Sequence, residues 1–230
     1  QGQYEKALEG YRKALGIQEK ALGKDHPLTA ATYNNIAAVY DHQGQYEKAL
    51  EWYRKALVIQ EKVLGKDHPS TATTYHNIAG VYDSQSQYGK ALEEYRKALD
   101  IREKVLGKDH PLTATTYNNI AFVYDNQGQY EKALEGYRKA LDINEKALGK
   151  DHPDTATTYN NIALVYDKQG QYAEALEEFL KAYRIRIRKL GEAHPYTQST
   201  RRGMERVYPK TRNPKPFPEW LAEALRRPDA

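Results

Sequence analysis

A block reading Asp-His-Pro recurs at Asp25, Asp67, Asp109 and Asp151, and returns as Ala-His-Pro at Ala193. Each copy lies 42 residues after the last, as from 25 to 67. The tyrosine of a Gln-Tyr pair keeps the same step at Tyr4, Tyr46, Tyr88, Tyr130 and Tyr172. A fixed period between about 20 and 50 residues is the mark of a solenoid, in which each copy packs only on its neighbours. Such a stack presents a long wall rather than a closed pocket, and walls of this kind bind other chains.

Composition narrows the setting. Charged residues make up 29% and hydrophobic residues 40% of the chain, which predicts a soluble, folded protein. There is no cysteine, so disulfides and thiolate metal sites are excluded, in keeping with a reducing, cytoplasmic location. No apolar run reaches membrane-spanning length and no signal peptide opens the chain, so no membrane partner is expected. The chain starts without Met, inside a repeat at QGQYEKAL, and reads as a piece of something longer. The net charge of +4 is unevenly spread: from Lys181 onward there are 13 Lys/Arg against 5 Asp/Glu, leaving 22 against 26 before it.

Residues 67–108 show what one copy builds. Gly65 can end the preceding helix in the left-handed conformation, Asp67 is a suitable N-cap, and Pro69 fits the first turn of the next helix. Tyr75, Ile78, Ala79 and Tyr82 fall at i, i+3, i+4 and i+7, a single apolar stripe. After a polar turn at 84–87, a second stripe runs through Tyr88, Ala91, Leu92, Tyr95, Ala98 and Leu99. A helical hairpin of this kind cannot bury its apolar faces alone and must stack.

These residues resemble the tetratricopeptide repeat. Tyr33, Ile36, Ala37 and Tyr40 match the family's first-helix signature, and Ala49, Tyr53 and Ala56 match its second. The usual repeat is 34 residues long; the extra residues here lengthen the second helix through Ile59 to Pro69, as in the 42-residue subclass of kinesin light chains and many bacterial multidomain proteins. The resemblance covers residues 3–208 and implies an all-α fold, a right-handed α-α superhelix of stacked antiparallel helix pairs. Adjacent copies are alike at 33 of 42 positions between 66–107 and 108–149, so recent duplication explains shared residues. The positions that vary carry the information.

In the family, the places held by Asn34, Asn35, Ala38 and Asp41 line the concave wall. They repeat as two amide ladders: Asn35, Asn77, Asn119 and Asn161, and beside it Asn34, His76, Asn118 and Asn160. A carboxamide donates and accepts, so it can hold the backbone of an extended peptide without reading its side chains. The resemblance implies this role; the alternative is that the amides bond to the adjacent repeat. Specificity is then expected from the variable series Ala38, Gly80, Phe122, Leu164 and Arg206, small at one end, apolar at Phe122 and Leu164, cationic at the other. Arg202 and Arg206, four apart, could hold a ligand carboxylate, or be solvated residues of a terminal repeat.

Other chemistries find little footing. His26, His68, His110, His152 and His194 stand one whole repeat apart and cannot converge on one metal ion, so a loop or capping role is expected. No phosphate loop, HExxH motif or nucleophile elbow occurs, which argues against an enzyme and against a bound cofactor. The basic stretch Arg184, Arg186, Arg188 and Lys189, with Arg201, Arg202 and Arg206, lacks interleaved stacking residues, which argues against nucleic acid as the partner.

Two regions complete the expectation. Residues 1–208 form the solenoid, with repeats starting near 25, 67, 109, 151 and 193. Residues 209–230 form a Pro-rich connector and an amphipathic capping helix carrying Phe217, Trp220, Leu221, Ala224 and Leu225, the alternative being a partner-binding motif or a tail that occupies the groove. The first helix lacks a preceding partner, so its edge could self-associate. The function expected is non-enzymatic binding of an extended or short helical peptide segment of a partner protein, as an adaptor. The alternatives are a regulatory part of a larger multidomain enzyme, or a self-assembling scaffold.

Overall fold

The structure is a computed structural model that describes residues 2–226. Among them are eleven α-helices and one 3-10 turn, and no strand. The chain divides into two compact units, 1–116 and 117–230.

The first unit holds α1 (Gly2–Ala21), α2 (Pro27–His42), α3 (Tyr46–Val63), α4 (Pro69–Ser84), α5 (Tyr88–Val105) and the start of α6 (Pro111–Asn126). Consecutive helices lie against one another, α2 on α3 and α4 on α5, across turns of three residues. The second unit continues through α7 (Tyr130–Ala147), α8 (Pro153–Lys168), α9 (Tyr172–Leu190), α10 (Pro195–Val207), the 3-10 turn (Tyr208–Thr211) and α11 (Phe217–Arg226). The architecture is an all-α stack of adjacent helix pairs within each unit, the solenoid arrangement the period predicts.

Four alanines per repeat make that packing possible. Ala30, Ala37, Ala49 and Ala56 are fully buried, as are Ala72, Ala79, Ala91 and Ala98 in the next copy. A methyl at the contact lets two helix backbones approach closely, and Tyr53 and Tyr95 are buried along with these alanines. In the second unit Ala121, Ala133 and Tyr137 share one cluster with Ile162 and Val165. Long second helices, each about five turns, give the stack its depth.

The helix starts differ from the sequence expectation in one respect. The N-cap is the histidine and not the aspartate: His26, His68, His152 and His194 adopt extended backbone, and each accepts at Nδ1 from the backbone N–H two residues on. Proline explains the shift. It occupies the first helical position and forces the residue before it, histidine, out of helical dihedrals. The aspartates instead take ion pairs: Lys62 donates to Asp25 at 2.5 Å and Arg188 to Asp151 at 2.6 Å, and Lys104 pairs with Asp67.

The turn between helices of a pair needs one left-handed residue. Gly44, Gly128 and Gly170 supply it, but in the second copy Ser86 must adopt φ 57°. An L side chain there costs about 1–2 kcal/mol. Replacing Ser86 with Gly should therefore stabilise the protein by about 0.5–1 kcal/mol, read as a higher urea midpoint in circular dichroism; an unchanged or lower midpoint would contradict this account.

At the other end, α11 lays Leu221 into a core cluster with Phe179, Tyr183, Met204 and Tyr208. Tyr208, Phe217 and Trp220 pack ring against ring, with centroids 5.0–6.0 Å apart. Leu221 and Ala224 of the expected stripe are buried, whereas Leu225 stays exposed. The part of the expected capping region at 227–230 lies outside the described residues.

Candidate functional site

The two amide ladders have different surroundings. In the first unit Asn34 is half-buried, donates from Nδ2 to Thr74 Oγ1 at 2.9 Å, and so ties α2 to α4 of the following repeat. Thr74 in turn reaches Gln60 Oε1 on α3 at 2.6 Å. Asn35, one residue on, is exposed, and Asn77 is half-buried; neither carboxamide makes a hydrogen bond among the described residues. In the second unit Asn160 Oδ1 accepts from Thr200 at 3.1 Å, the same 40-residue step as Asn34 to Thr74. Asn161 donates to Asn118 at 3.3 Å, so one member of each ladder braces the other there. Asn119 is half-buried.

Each unit also carries a short buried polar column on its second helices, Gln60 and Arg102 in the first unit and Asn144 and Arg186 in the second, each nearly inaccessible. Each faces a buried threonine fourteen residues later: Gln60 and Thr74, Arg102 and Thr116, Asn144 and Thr158, Arg186 and Thr200. Arg102 Nη1 also donates to the Leu112 carbonyl at 3.0 Å and lies 3.2 Å from His76 Nδ1. Two guanidiniums, 4% and 5% exposed, are thus held by neutral acceptors. The signal was present in the sequence, since this position varies between copies that otherwise match, but an arginine there reads as a solvated helix face.

His76 takes the place of asparagine beside this column. Its ring packs edge-on against Tyr95 at 5.0 Å. Burial, reinforced by the neighbouring Arg102 guanidinium, pushes its pKa down to about 3. The folded ring therefore stays neutral where the unfolded one, with a pKa of about 6.5, takes up a proton. Its contribution to stability is complete above about pH 6.5 and is lost as pH falls toward 3, with a slope approaching about 1.4 kcal/mol per pH unit. Between pH 7 and 5 the protein should lose more stability than a His76→Asn variant does. Parallel losses in urea titrations would refute the assignment.

The variable wall series behaves as follows. Ala38, Gly80 and Leu164 are partly covered and Phe122 is exposed. A Cβ built on Gly80 would sit 3.6 Å from the Tyr95 hydroxyl, so that tyrosine forms the floor beneath it. Arg206 directs both Nε and Nη2 at Asp167, at 3.0 and 2.6 Å, with Lys210 also nearby. Of the expected arginine pair, only Arg202 has no internal partner among the described residues.

The aspartates near the ends of the first helices differ in their partners from copy to copy. Asp125 is 6% exposed and held by Lys168 at 2.7 Å, while Asp167 is held by Arg206. Asp41 has Ser84 where Asp125 has Lys168, and burial holds its carboxyl above the usual range against the weaker pull of His42. Among the described residues no group of His, Cys, Asp or Glu converges to hold a metal ion. No described helix is long and apolar enough to cross a membrane.

The family model described as tetratricopeptide repeat matches residues 1–61, 42–104, 85–143 and 112–188. Comparison with curated proteins returns no match. Among solved structures, BtubC (BKLC) from P. vanneervenii is 23% identical, covers 98% of this chain and 86% of its own, and superposes with a TM-score of 0.76. A Podosopora anserina protein described as kinesin light chain, with nearly identical TPR-like repeats, is 28% identical over 82% of this chain and 90% of its own, with a TM-score of 0.67. RapI in its apo form gives 22% identity, 97% and 58% coverage, and a TM-score of 0.74.

Proposed function

The chain belongs to the tetratricopeptide repeat family, whose repeats mediate protein–protein interaction, and from that premise we propose that it is a non-enzymatic module binding an extended or short helical peptide segment of a partner protein. The observation that carries this reading is the contrast between adjacent amides in the first unit. Asn34 is consumed by Thr74, whereas Asn35 beside it on α2 and Asn77 on α4 keep donors and acceptors unspent. An unspent carboxamide on a rigid helix loses little freedom when it takes a peptide backbone group.

In this reading the unspent Asn35 and Asn77 anchor the peptide backbone in the first unit, and in the second Asn119 and Asn161 do so by exchanging internal bonds for it. Phe122 and Leu164 receive an apolar side chain, and Arg202 meets an acid. Asn34, His76, Asn118 and Asn160 support the wall from behind, and Arg206 shapes its end through Asp167. Asp41, without a lysine partner, suits a cation on the ligand. Residues 1–208 act as the binding solenoid and 209–230 as its cap, in a cytoplasmic adaptor.

A peptide-array screen tests the reading. Peptides selected by the native protein should bind an Asn35→Ala/Asn77→Ala variant about five- to 150-fold more weakly, at about 0.5–1.5 kcal/mol per lost hydrogen bond, with unchanged melting. Undiminished binding would sink the proposal. One observation favours a second reading, self-association through the first helix: Ile17 of α1 is 68% exposed, and Tyr4 and Leu22 are also open. Scattering that stays monomeric across concentrations would exclude it.

A further inference from the structure

A cleft of about 1140 Å³ opens in the second unit between the end of α7, the loop at 149–153 and the final turns of α9. From the interior of α8 it takes only Tyr159; Asn160, Asn161 and Leu164 are not among its walls. It is therefore separate from the amide-bearing face. Its size exceeds the roughly 300–1,000 Å³ of small-ligand pockets.

The cleft is amphipathic and positively charged. Leu148, Leu180, Ile185 and the Tyr159 ring give it an apolar lining. Its charged side chains are five cations, at 150, 181, 184, 188 and 189, against three carboxylates, at 145, 151 and 177. The matching positions two repeats earlier, between 61 and 105, carry four of each.

Three replacements make the difference. Arg184 stands where Asp100 and Asp142 stand in the sister copies, and Lys189 where Val105 and Ala147 stand. Leu180 stands where Arg96 and Arg138 stand. Arg138 stretches to the Tyr166 hydroxyl at 2.9 Å, whereas Leu180 packs beside the Tyr208 cluster and leaves an apolar surface.

Some of these cations are fixed by internal contacts. Lys181 pairs with Glu178 at 2.7 Å, Arg188 with Asp151 at 2.6 Å, and Arg184 donates to the Ala224 carbonyl of α11 at 2.5 Å. Lys150 and Lys189 are exposed and form no ion pair among the described residues. A site with fixed cations, two uncommitted lysines and an apolar floor complements a chain that is acidic and carries an apolar anchor. We propose that this cleft docks an acidic segment of a partner protein through one buried apolar side chain, independently of the amide face.

Two fluorescein-labelled synthetic peptides test this, one alternating Glu with Leu and Phe, the other with every Glu replaced by Lys. Anisotropy should show binding of the acidic peptide alone, weakening about tenfold or more as salt rises from about 50 to 300 mM. A Lys150→Glu/Lys189→Glu variant, altered only at exposed positions, should lose at least about tenfold in affinity while keeping its circular dichroism spectrum. Leu180→Arg restores the sister residue and raises the charge, yet should weaken binding by closing the apolar floor. The Asn35→Ala/Asn77→Ala variant should bind as the native protein does, so failure here leaves the amide-face proposal standing. No binding, undiminished binding by the double-Glu variant, or tighter binding by Leu180→Arg would overturn the proposal. So would displacement of the acidic peptide by polyuridylate with equal strength in native and Leu180→Arg proteins, the mark of a general polyanion surface.

Discussion

Replacing Phe179 with Ala should destabilise the second unit by about 3–5 kcal/mol, the usual cost of deleting a fully buried aromatic ring. Phe179 is 1% exposed and sits in the cluster that joins Leu176 of α9 to Met204 of α10 and Leu221 of α11. The packing has no slack. A Cβ on Gly203 would lie 2.8 Å from Phe179 Cζ, closer than such atoms approach. Gly203→Ala should therefore be costly in the native protein and much less so beside Phe179→Ala. This coupling is measurable in a double-mutant cycle by urea denaturation. Additive effects would show that ring and glycine do not share one tight contact.

Arg186→Ala should cost about 2–4 kcal/mol, even though no carboxylate partners this arginine among its described bonds. Its Nη1 serves Thr200 Oγ1 at 2.5 Å, the Tyr196 carbonyl at 3.1 Å and Asn160 Oδ1 at 3.3 Å; Nη2 serves Thr157 at 3.3 Å. Truncation leaves these buried acceptors facing a cavity. Arg186→Gln tests the cause, because Gln60 occupies the equivalent place and bonds Thr74. It should recover all but about 1 kcal/mol. Equal urea midpoints for the Ala and Gln variants would contradict this account, since Gln returns both volume and a hydrogen bond that Ala lacks. The same pair of variants would show whether the column supports Asn160 in position for any ligand.

Much of the architecture was legible in the residues. The apolar stripes at 75–82 and 88–99, the turn at 84–87 and the left-handed Gly65 all express local chemistry that a single chain segment decides. The cap lies at His68 and not at Asp67 for a local reason as well: a proline at the first helical position makes the residue before it the cap. The candidate site was less legible. Asn34 and Asn35 are identical neighbours in the sequence, yet one is bonded to the next repeat and the other is not. Arg102 and Arg186 look like solvated helix residues until a neighbouring helix places threonines and carbonyls around them. Arg206, a candidate for a ligand acid, meets Asp167 from the previous repeat.

The sequence by itself therefore determined the period, the helix pairs, the alanine contacts and the tyrosine spacers, because each follows from the spacing of apolar and small residues along one helix. Tertiary structure alone decided which polar side chains remain available. Hydrogen-bond partners in a stacked array come from residues 14 to 43 positions away, where a shift of about an ångström makes or breaks the bond. Repetition makes every copy look equivalent, and the neighbours in space make them different.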